Sequence, residues 1–330
     1  MRHYGNIEVG AATHTGRVRS TNEDDYLIYV PQEPAELRGR GCLFVIADGM
    51  GGVTGGAEAS RAAVRALATT FTGSNGLASG ETAIVADTVD AERVDAAESM
   101  ENRMRTGFQV ANRQVLQLAR ESPGLRDMGT TLTAANLNGS RLVLGHVGDT
   151  RCLLLRDGRL ARLTEDHAVR SPDNYLTRCV GAGQETVEAD IGHHRLQVGD
   201  RIVLLTDGLW SVVDEEEIAR ILRTMDPQPA AEELVREANR NGGPDNSTVL
   251  VVHLNSVEVE PGGLLAVELP SEEVRQPSQL RPPTASLVAP RWPWLLLVLS
   301  LLLLVLAMAK MFFDVDLVQG LVRYFQGSGD

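Results

Sequence analysis

Apolar residues fall along this chain in two rhythms. Short continuous runs, Phe44-Val-Ile46 and Ile202-Val-Leu-Leu205, each lead into an acid followed by glycine, Asp48-Gly49 and Asp207-Gly208. Continuous runs of that length suit strands buried on both faces. Glycines after the first acid let backbone approach a ligand closely, because no Cβ stands in the way. Further strands are expected over 7–13, 26–30, 130–136, 142–147 and 152–156, with a last one reaching 252. Asn138-Gly139 and Asp157-Gly158 are two-residue hairpin signals. Elsewhere the period is helical. Met100, Met104, Phe108, Ala111, Val115 and Leu118 mark one apolar face, ended by Pro123-Gly124. Alanine-rich residues 56–72 predict another helix. Asp214-Glu-Glu-Glu217 opens a third, with acids where the helix dipole favours them, and 230–241 reads as a fourth. Residues 31–41 read as a loop.

The pattern changes past 255. Residues 256–291 are rich in Pro, Glu and Ser without periodicity, which predicts a tether. Residues 292–309 then carry no charge, and 18 residues of helix span roughly 27 Å. Met311 to Phe313 extend the run, with Lys310 able to snorkel and Trp292 and Trp294 placed for the interfacial belt. The expected organisation is a folded domain over 1–255, a flexible insertion at 73–95, the tether, a single membrane helix at 292–313 and a tail at 314–330. Arg281 and Arg291 precede the span while Lys310 and Arg323 follow it, so flanking charge gives little orientation. Residues 1–10 lack a signal core, which supports a single-pass protein with a cytoplasmic domain.

Composition narrows the chemistry. A net charge of −13 over 330 residues argues against nucleic-acid binding, which needs a basic face. Cys42, Cys152 and Cys179 form no CxxC pair and read as reduced core residues. That leaves the acids. Asp48, Asp149, Asp207 and Asp245 all fall at strand ends or turns, with Glu23 and Asp24 as further candidates. Each has a plain alternative, as a solvated loop acid or a turn cap. If they converge, each pair of charges at 4 Å costs about 4 kcal/mol at an effective dielectric of 20, so the cluster needs protons or cations. Oxygen ligands without His or Cys suit Mg²⁺ or Mn²⁺. Two such ions make a nucleophile of bound water and clamp a phosphoryl group. Arg19 offers a planar fork for phosphate oxygens. The residues alone therefore point to a two-metal phosphoryl hydrolase.

The motifs Arg19-x-x-Asn22-Glu23-Asp24, Ala47-Asp48-Gly49-Met50-Gly51-Gly52, Gly129-Thr-Thr131, Val147-Gly148-Asp149-Thr-Arg151, Leu163-Thr-Glu-Asp166-His167, Leu205-Thr-Asp207-Gly208-Leu-Trp and Asp245-Asn246-Ser-Thr occur in this order. Over residues 5–254 the chain resembles the metal-dependent protein phosphatases, the PPM or type 2C family. The resemblance implies an α+β fold, a four-layer α-β-β-α sandwich of two antiparallel sheets, to which the C-terminal transmembrane helix is added. It implies hydrolysis of phosphoserine and phosphothreonine by a metal-bridging water, without a phosphoenzyme. By the same resemblance Asp48 bridges two Mn²⁺ or Mg²⁺ ions and Asp207 and Asp245 complete the first site. The Gly49 carbonyl serves the second, with Glu23 or Asp24 ligating directly or through water. Arg19 holds the substrate phosphate, and Asp149 joins Asp207 at a weaker third site.

Three departures stand out. Met50 occupies the place where many members carry a His proposed as general acid. Ser211 replaces an Asp that some members use for the third metal. The flap after Asp166-His167 is reduced to residues 168–174. The expected function is a membrane-tethered protein serine/threonine phosphatase acting on phosphoproteins made by Ser/Thr kinases. The alternative is a catalytically weak scaffold of the same fold that binds phosphoproteins. A two-metal nuclease is disfavoured by the acidic charge, and a P-loop by the missing Gly-Lys-Ser/Thr.

Overall fold

The computed structural model describes residues 2–4, 7–31, 33–72, 100–169 and 175–256. The chain divides into two units, Met1–Gly263 and Leu264–Asp330, and the second lies outside the described residues. So do the expected insertion at 73–95, the tether beyond 256 and the span at 292–313. Among the described residues no helix is long and apolar enough to cross a membrane.

In chain order the strands and helices begin with β1 (Arg2–Tyr4), β2 (Ile7–His14), β3 (Asp24–Tyr29), α1 (Pro34–Arg40), β4 (Cys42–Met50), α2 (Gly52–Thr72) and α3 (Met100–Glu121). There follow β5 (Gly129–Thr130), β6 (Leu132–Asn138), β7 (Arg141–Val147), β8 (Arg151–Arg156), β9 (Arg159–Arg162), β10 (Ala168–Val169), β11 (Tyr175–Leu176), β12 (Val180–Gly181) and β13 (Asp190–Arg195). The last are β14 (Arg201–Leu205), α4 (Asp207–Trp210), α5 (Glu215–Thr224), α6 (Pro227–Arg240) and β15 (Ser247–Leu254). One sheet runs β1-β2-β15-β14-β8-β9 and the other β12-β5-β4-β6-β7-β13, with β3 on the free side of β4. Every pairing within them is antiparallel.

Side-chain alternation along β4 explains why its apolar run is continuous. Leu43, Val45 and Ala47 pack with Leu67, Phe71, Met104 and Phe108 of α2 and α3. Cys42, Phe44 and Ile46 face the other way, against Cys152, Leu154, Ile202, Leu204, Leu250 and Val252 of the second sheet. That sheet's outer face, with Val203, Leu205, Val249 and Val251, is covered by Ile218, Leu222 and Leu234 of α5 and α6. The layers are thus helices, sheet, sheet, helices. Each buried Leu, Val, Ile or Phe contributes roughly 1.5–3 kcal/mol, so this double-sided core anchors β4 and β14 firmly. Both strands deliver an Asp-Gly at the same end of the sandwich.

Several local expectations are corrected. Residues 34–40 form a helix, not a loop. Pro34 starts it, Glu36 lies in its first turn, Arg38 and Arg40 in its last, and Gly41 ends it at φ 69°. The strand over 130–136 is broken at Thr131. β4 does not stop before Asp48 but runs on through Met50, so Asp48 is a strand residue and not a turn residue. Helix α2 begins at Gly52 and α6 at Pro227, earlier than their apolar patterns. The hairpin at Asp157-Gly158 is present, with φ 51° and 74° at its two central residues. The three cysteines are free and buried.

Candidate active site

Register brings the first two acids together. β3 and β4 pair antiparallel with Asp24 directly across from Asp48. Asp48 is held by its backbone: its N–H donates to Thr131 Oγ1 at 2.8 Å, and its carbonyl accepts from Thr131 N–H at 2.9 Å and Thr130 Oγ1 at 2.8 Å. This is also why the strand breaks at Thr131. Asp24 Oδ2 accepts from Thr248 Oγ1 at 2.6 Å and Thr206 Oγ1 at 3.0 Å, one residue from each of β15 and the turn after β14. Two threonines of the second sheet therefore clamp an acid of the first.

Asp207 opens α4, and its carboxyl lies close enough to that of Asp48 for each to act on the other's protonation. The backbone here is tight. A Cβ on Gly208 would lie 1.9 Å from the Asn246 carbonyl oxygen, and one on Gly49 would lie 2.1 Å from the Gly56 carbonyl oxygen. Only glycine lets the two Asp-Gly pairs approach their neighbours this closely. Asp245 reaches across to Arg19, whose Nη2 donates to Asp245 Oδ2 at 2.6 Å. Asn246 gathers the loops: its Oδ1 accepts from Glu23 N–H at 2.8 Å, and its Nδ2 donates to the Thr15 and Thr21 carbonyls at 2.8 and 2.9 Å. Glu23 is fixed further by Ser60 Oγ, which donates to its carbonyl at 2.6 Å.

Asp149 sits on a turn held from behind. Trp210 Nε1 donates to its carbonyl at 3.1 Å, and the Arg151 guanidinium lies 3.6 Å over the Trp210 ring. Arg151 also forks onto Asp166 at 3.0 and 2.9 Å, both side chains being under 10% exposed. His167 Nδ1 accepts from Gly148 N–H at 3.2 Å while its Nε2–H donates to Asp190 at 2.9 Å. Beyond it, β10 and β11 pair antiparallel, while residues 170–174 of the reduced flap lie outside the described residues.

The acids repel one another and are poorly solvated. Burial, then the charges of Asp24 and Asp207, holds the Asp48 carboxyl well above its ordinary range. Burial pushes Asp24 up to about 7, against the opposing effect of its two threonine hydrogen bonds. Asp207 is raised by burial and then by Asp245, although the neighbouring Asp48 carboxyl works the other way. Glu23 is raised by burial, partly offset by Arg19. Asp24 Oδ1 and Asp207 Oδ1 are buried without a hydrogen-bond partner. Buried acceptors in that state are costly and call for a proton or a cation.

Among the described residues, no three His, Cys, Asp or Glu side chains are arranged as they stand to hold a metal ion. The acids meet in pairs instead, Asp24 with Asp48, Asp48 with Asp207, and Asp245 with Arg19. Like charges in a poorly hydrated cleft separate or share protons unless a cation neutralises them. The donor set still fits hard divalent ions, being oxygen throughout, with two orphaned carboxylate oxygens and carboxyls whose pKa values favour neutralisation.

All eight residues picked from the sequence, Arg19, Glu23, Asp24, Asp48, Gly49, Asp149, Asp207 and Asp245, lie at this end of the sandwich. Sequence reasoning gave no role to Thr131, Asn246, Thr206, Thr248 or Ser60. The first four stood inside quoted motifs, and a short polar residue beside an acid at a strand end was the signal available.

A protein phosphatase 2C family model matches residues 17–239, and the chain belongs to that family. Over 264 residues it is 32% identical to the serine/threonine phosphatase Stp of Listeria welshimeri, covering 74% of this chain and 95% of that one. It is 31% identical to the serine/threonine protein phosphatase PstP of Mycobacterium tuberculosis over 74% of this chain and 44% of PstP. The crystal structure of the M. tuberculosis phosphatase superposes with a TM-score of 0.58 at 30% identity, covering 76% of this chain and 99% of that one. A PstP catalytic domain solved with two manganese ions superposes at 0.60 and 28% identity, over 76% and 99%. This chain is a protein-serine/threonine phosphatase.

Proposed function

We propose that this phosphatase is metal-activated and tethered to a membrane, and that it acts on phosphoserine and phosphothreonine in proteins modified by Ser/Thr kinases. The observation that carries the metal reading is the cluster of Asp24, Asp48 and Asp207, whose carboxyls are all held above their ordinary range and of which Asp24 Oδ1 and Asp207 Oδ1 lack a hydrogen-bond partner. The manganese in the PstP catalytic domain supports it. Two Mn²⁺ or Mg²⁺ ions would rest on Asp48, the Gly49 carbonyl, Asp207 and Asp245, with Glu23 or Asp24 bound directly or through water. A third would rest on Asp149 and Asp207. When bound, such ions turn water into a nucleophile at neutral pH and neutralise phosphoryl charge.

The chain's own residues do the rest. Arg19 binds the phosphate: its Nη2 already holds one oxygen of the Asp245 carboxylate at 2.6 Å, and its guanidinium can offer a phosphate two parallel N–H groups. Thr130 and Thr131 keep Asp48 from turning away, and Thr206 and Thr248 hold Asp24. Asn246 keeps the loop bearing Arg19 and Glu23 against the Asp245 turn. Met50 supplies no proton, so the leaving hydroxyl takes its proton from solvent or a neighbouring carboxyl.

The tether reading rests on the uncharged run at 292–309 behind a Pro-rich stretch. It confines the domain to substrates near the bilayer and raises their effective concentration. Calorimetric Mn²⁺ titration of the full chain in detergent tests the metal reading. Wild type is expected to bind at least two ions, and Asp48→Asn to lose them. Equal binding by both would refute it. Release of the chain from membranes by salt or carbonate wash would refute the anchor.

A further inference from the structure

A groove of about 370 Å³ opens beside the catalytic end, lined by His14, Arg17, Val235, Arg236, Asn239 and Arg240. Three arginines in one groove stand out in a chain of net charge −13. Arg17 is exposed and, among the described residues, has no side-chain partner. Arg236 and Arg240 are 60% and 52% exposed, while the acids they lean on, Glu233 and Glu237, are only 18% and 21% exposed. The acids orient the guanidinium groups: Arg240 gives Nε and Nη2 to Glu237 and Glu233, which leaves Nη1 for a ligand, while Arg236 gives Nη2 to Glu233. The acids cancel two of the three charges, and Arg17 leaves the groove positive.

Position gives the groove its meaning. Arg17 N–H donates to the Gly243 carbonyl at 2.7 Å, and two residues further along both strands of chain Arg19 grips Asp245 at 2.6 Å. Two residues span at most about 7 Å of backbone. One short loop therefore presents one arginine to the catalytic acids and the next to the groove. A polypeptide whose phosphorylated residue lies at Arg19 can place a residue a few positions away over Arg17, Arg236 and Arg240. Several guanidinium groups lining one groove suit a phosphate dianion better than a single carboxylate.

We propose that this groove is a second anion subsite, which selects protein substrates carrying a further phosphorylated residue near the one being hydrolysed. The inference rests on the phosphatase reading and adds substrate choice to it.

The test is peptide binding by the full chain in detergent with EDTA, followed by fluorescence anisotropy. The probes carry one phosphothreonine, two phosphothreonines separated by two to four residues, or one phosphothreonine with aspartate in the second place. Wild type is expected to bind the doubly phosphorylated peptides roughly five- to tenfold more tightly than the single one, with aspartate between. In Arg17→Ala/Arg236→Ala/Arg240→Ala that ratio falls to about one, and Arg17→Ala alone removes part of it. A wild-type ratio near one, or a ratio that survives in the triple variant, would overturn the proposal. Mn²⁺-dependent turnover measured in parallel reports separately on metal activation.

Discussion

Asp24 faces Asp48 across an antiparallel pair of strands, two carboxylates where a sheet ordinarily places opposite charges or apolar side chains. The sequence around them, two apolar strands on a double-sided core, forces the encounter, because neither strand can slip register without exposing its core face. The fold therefore stores electrostatic repulsion at this site.

That repulsion fixes a pH dependence. Both carboxyls have folded pKa values above their unfolded ones, Asp24 at about 7. The native state then binds more protons than the unfolded chain, so their contribution to stability is present at low pH and lost as pH rises through the folded values. Burial lowers His146 to about 4, an effect of opposite sign that is lost as pH falls below 6.5. Burial lowers His194 and His253 as well, so the histidine effects fade as pH rises past 6.5, and from about pH 7 to 8.5 the raised carboxyls, joined by the buried cysteine thiols, set the trend. In EDTA the melting temperature should fall across that range. Asp24→Asn should flatten the slope and stabilise the metal-free protein by roughly 1–3 kcal/mol at pH 8. Excess Mn²⁺ should reverse the trend, because a cation competes with protons for these oxygens.

Arg19→Lys keeps the charge and loses the fork. It should lower kcat/KM for a phosphopeptide by about 10- to 100-fold, the loss of one charge-assisted pair. Steady-state kinetics at saturating Mn²⁺ check this, and a change of under twofold would remove Arg19 from the phosphate site.

Asn246 is 4% exposed and makes three hydrogen bonds to the backbone of residues 15, 21 and 23. Asn246→Ala should cost roughly 2–4 kcal/mol of stability and weaken metal affinity with it, since it frees the loop that carries Arg19 and Glu23. Urea denaturation and Mn²⁺ titration of the variant check the two effects together.

Arg151 and Asp166 form a buried fork, with the guanidinium stacked on Trp210. Arg151→Met leaves Asp166 without its bidentate partner and should destabilise the domain by about 3–5 kcal/mol. Trp210→Phe keeps the ring but loses the donor to the Asp149 carbonyl, so it should cost only about 1 kcal/mol. Melting curves of the two variants, compared at one pH, separate them.

What the sequence made legible were the features that recur. Asp48-Gly49 and Asp207-Gly208 could be found because each follows an apolar run that both sheet faces require. The period of Met104, Phe108 and Ala111 likewise marked α3 well, as its buried face shows. Helix α1 escaped because its seven residues carry too few apolar positions to set a period, although its Pro start and Gly end were visible. Strand β13 escaped because Asp190–Arg195 is half-exposed and polar, and is held by pairing with β7. The clamps on the acids were invisible for another reason. Thr206, Thr248 and Asn246 work through contacts over more than 180 positions of chain, which no local pattern encodes.

On the proposed reading, the acids at the ends of β4 and β14 hold the divalent ions on which phosphate release depends. The most direct measurement is release of phosphate from a phosphothreonine peptide by the full chain with Mn²⁺, with Mg²⁺ and with EDTA, beside Asp207→Asn. Turnover that needs a divalent ion and falls by several orders of magnitude in the variant is the predicted result. Turnover unaffected by EDTA, or equal in Asp207→Asn, would contradict it.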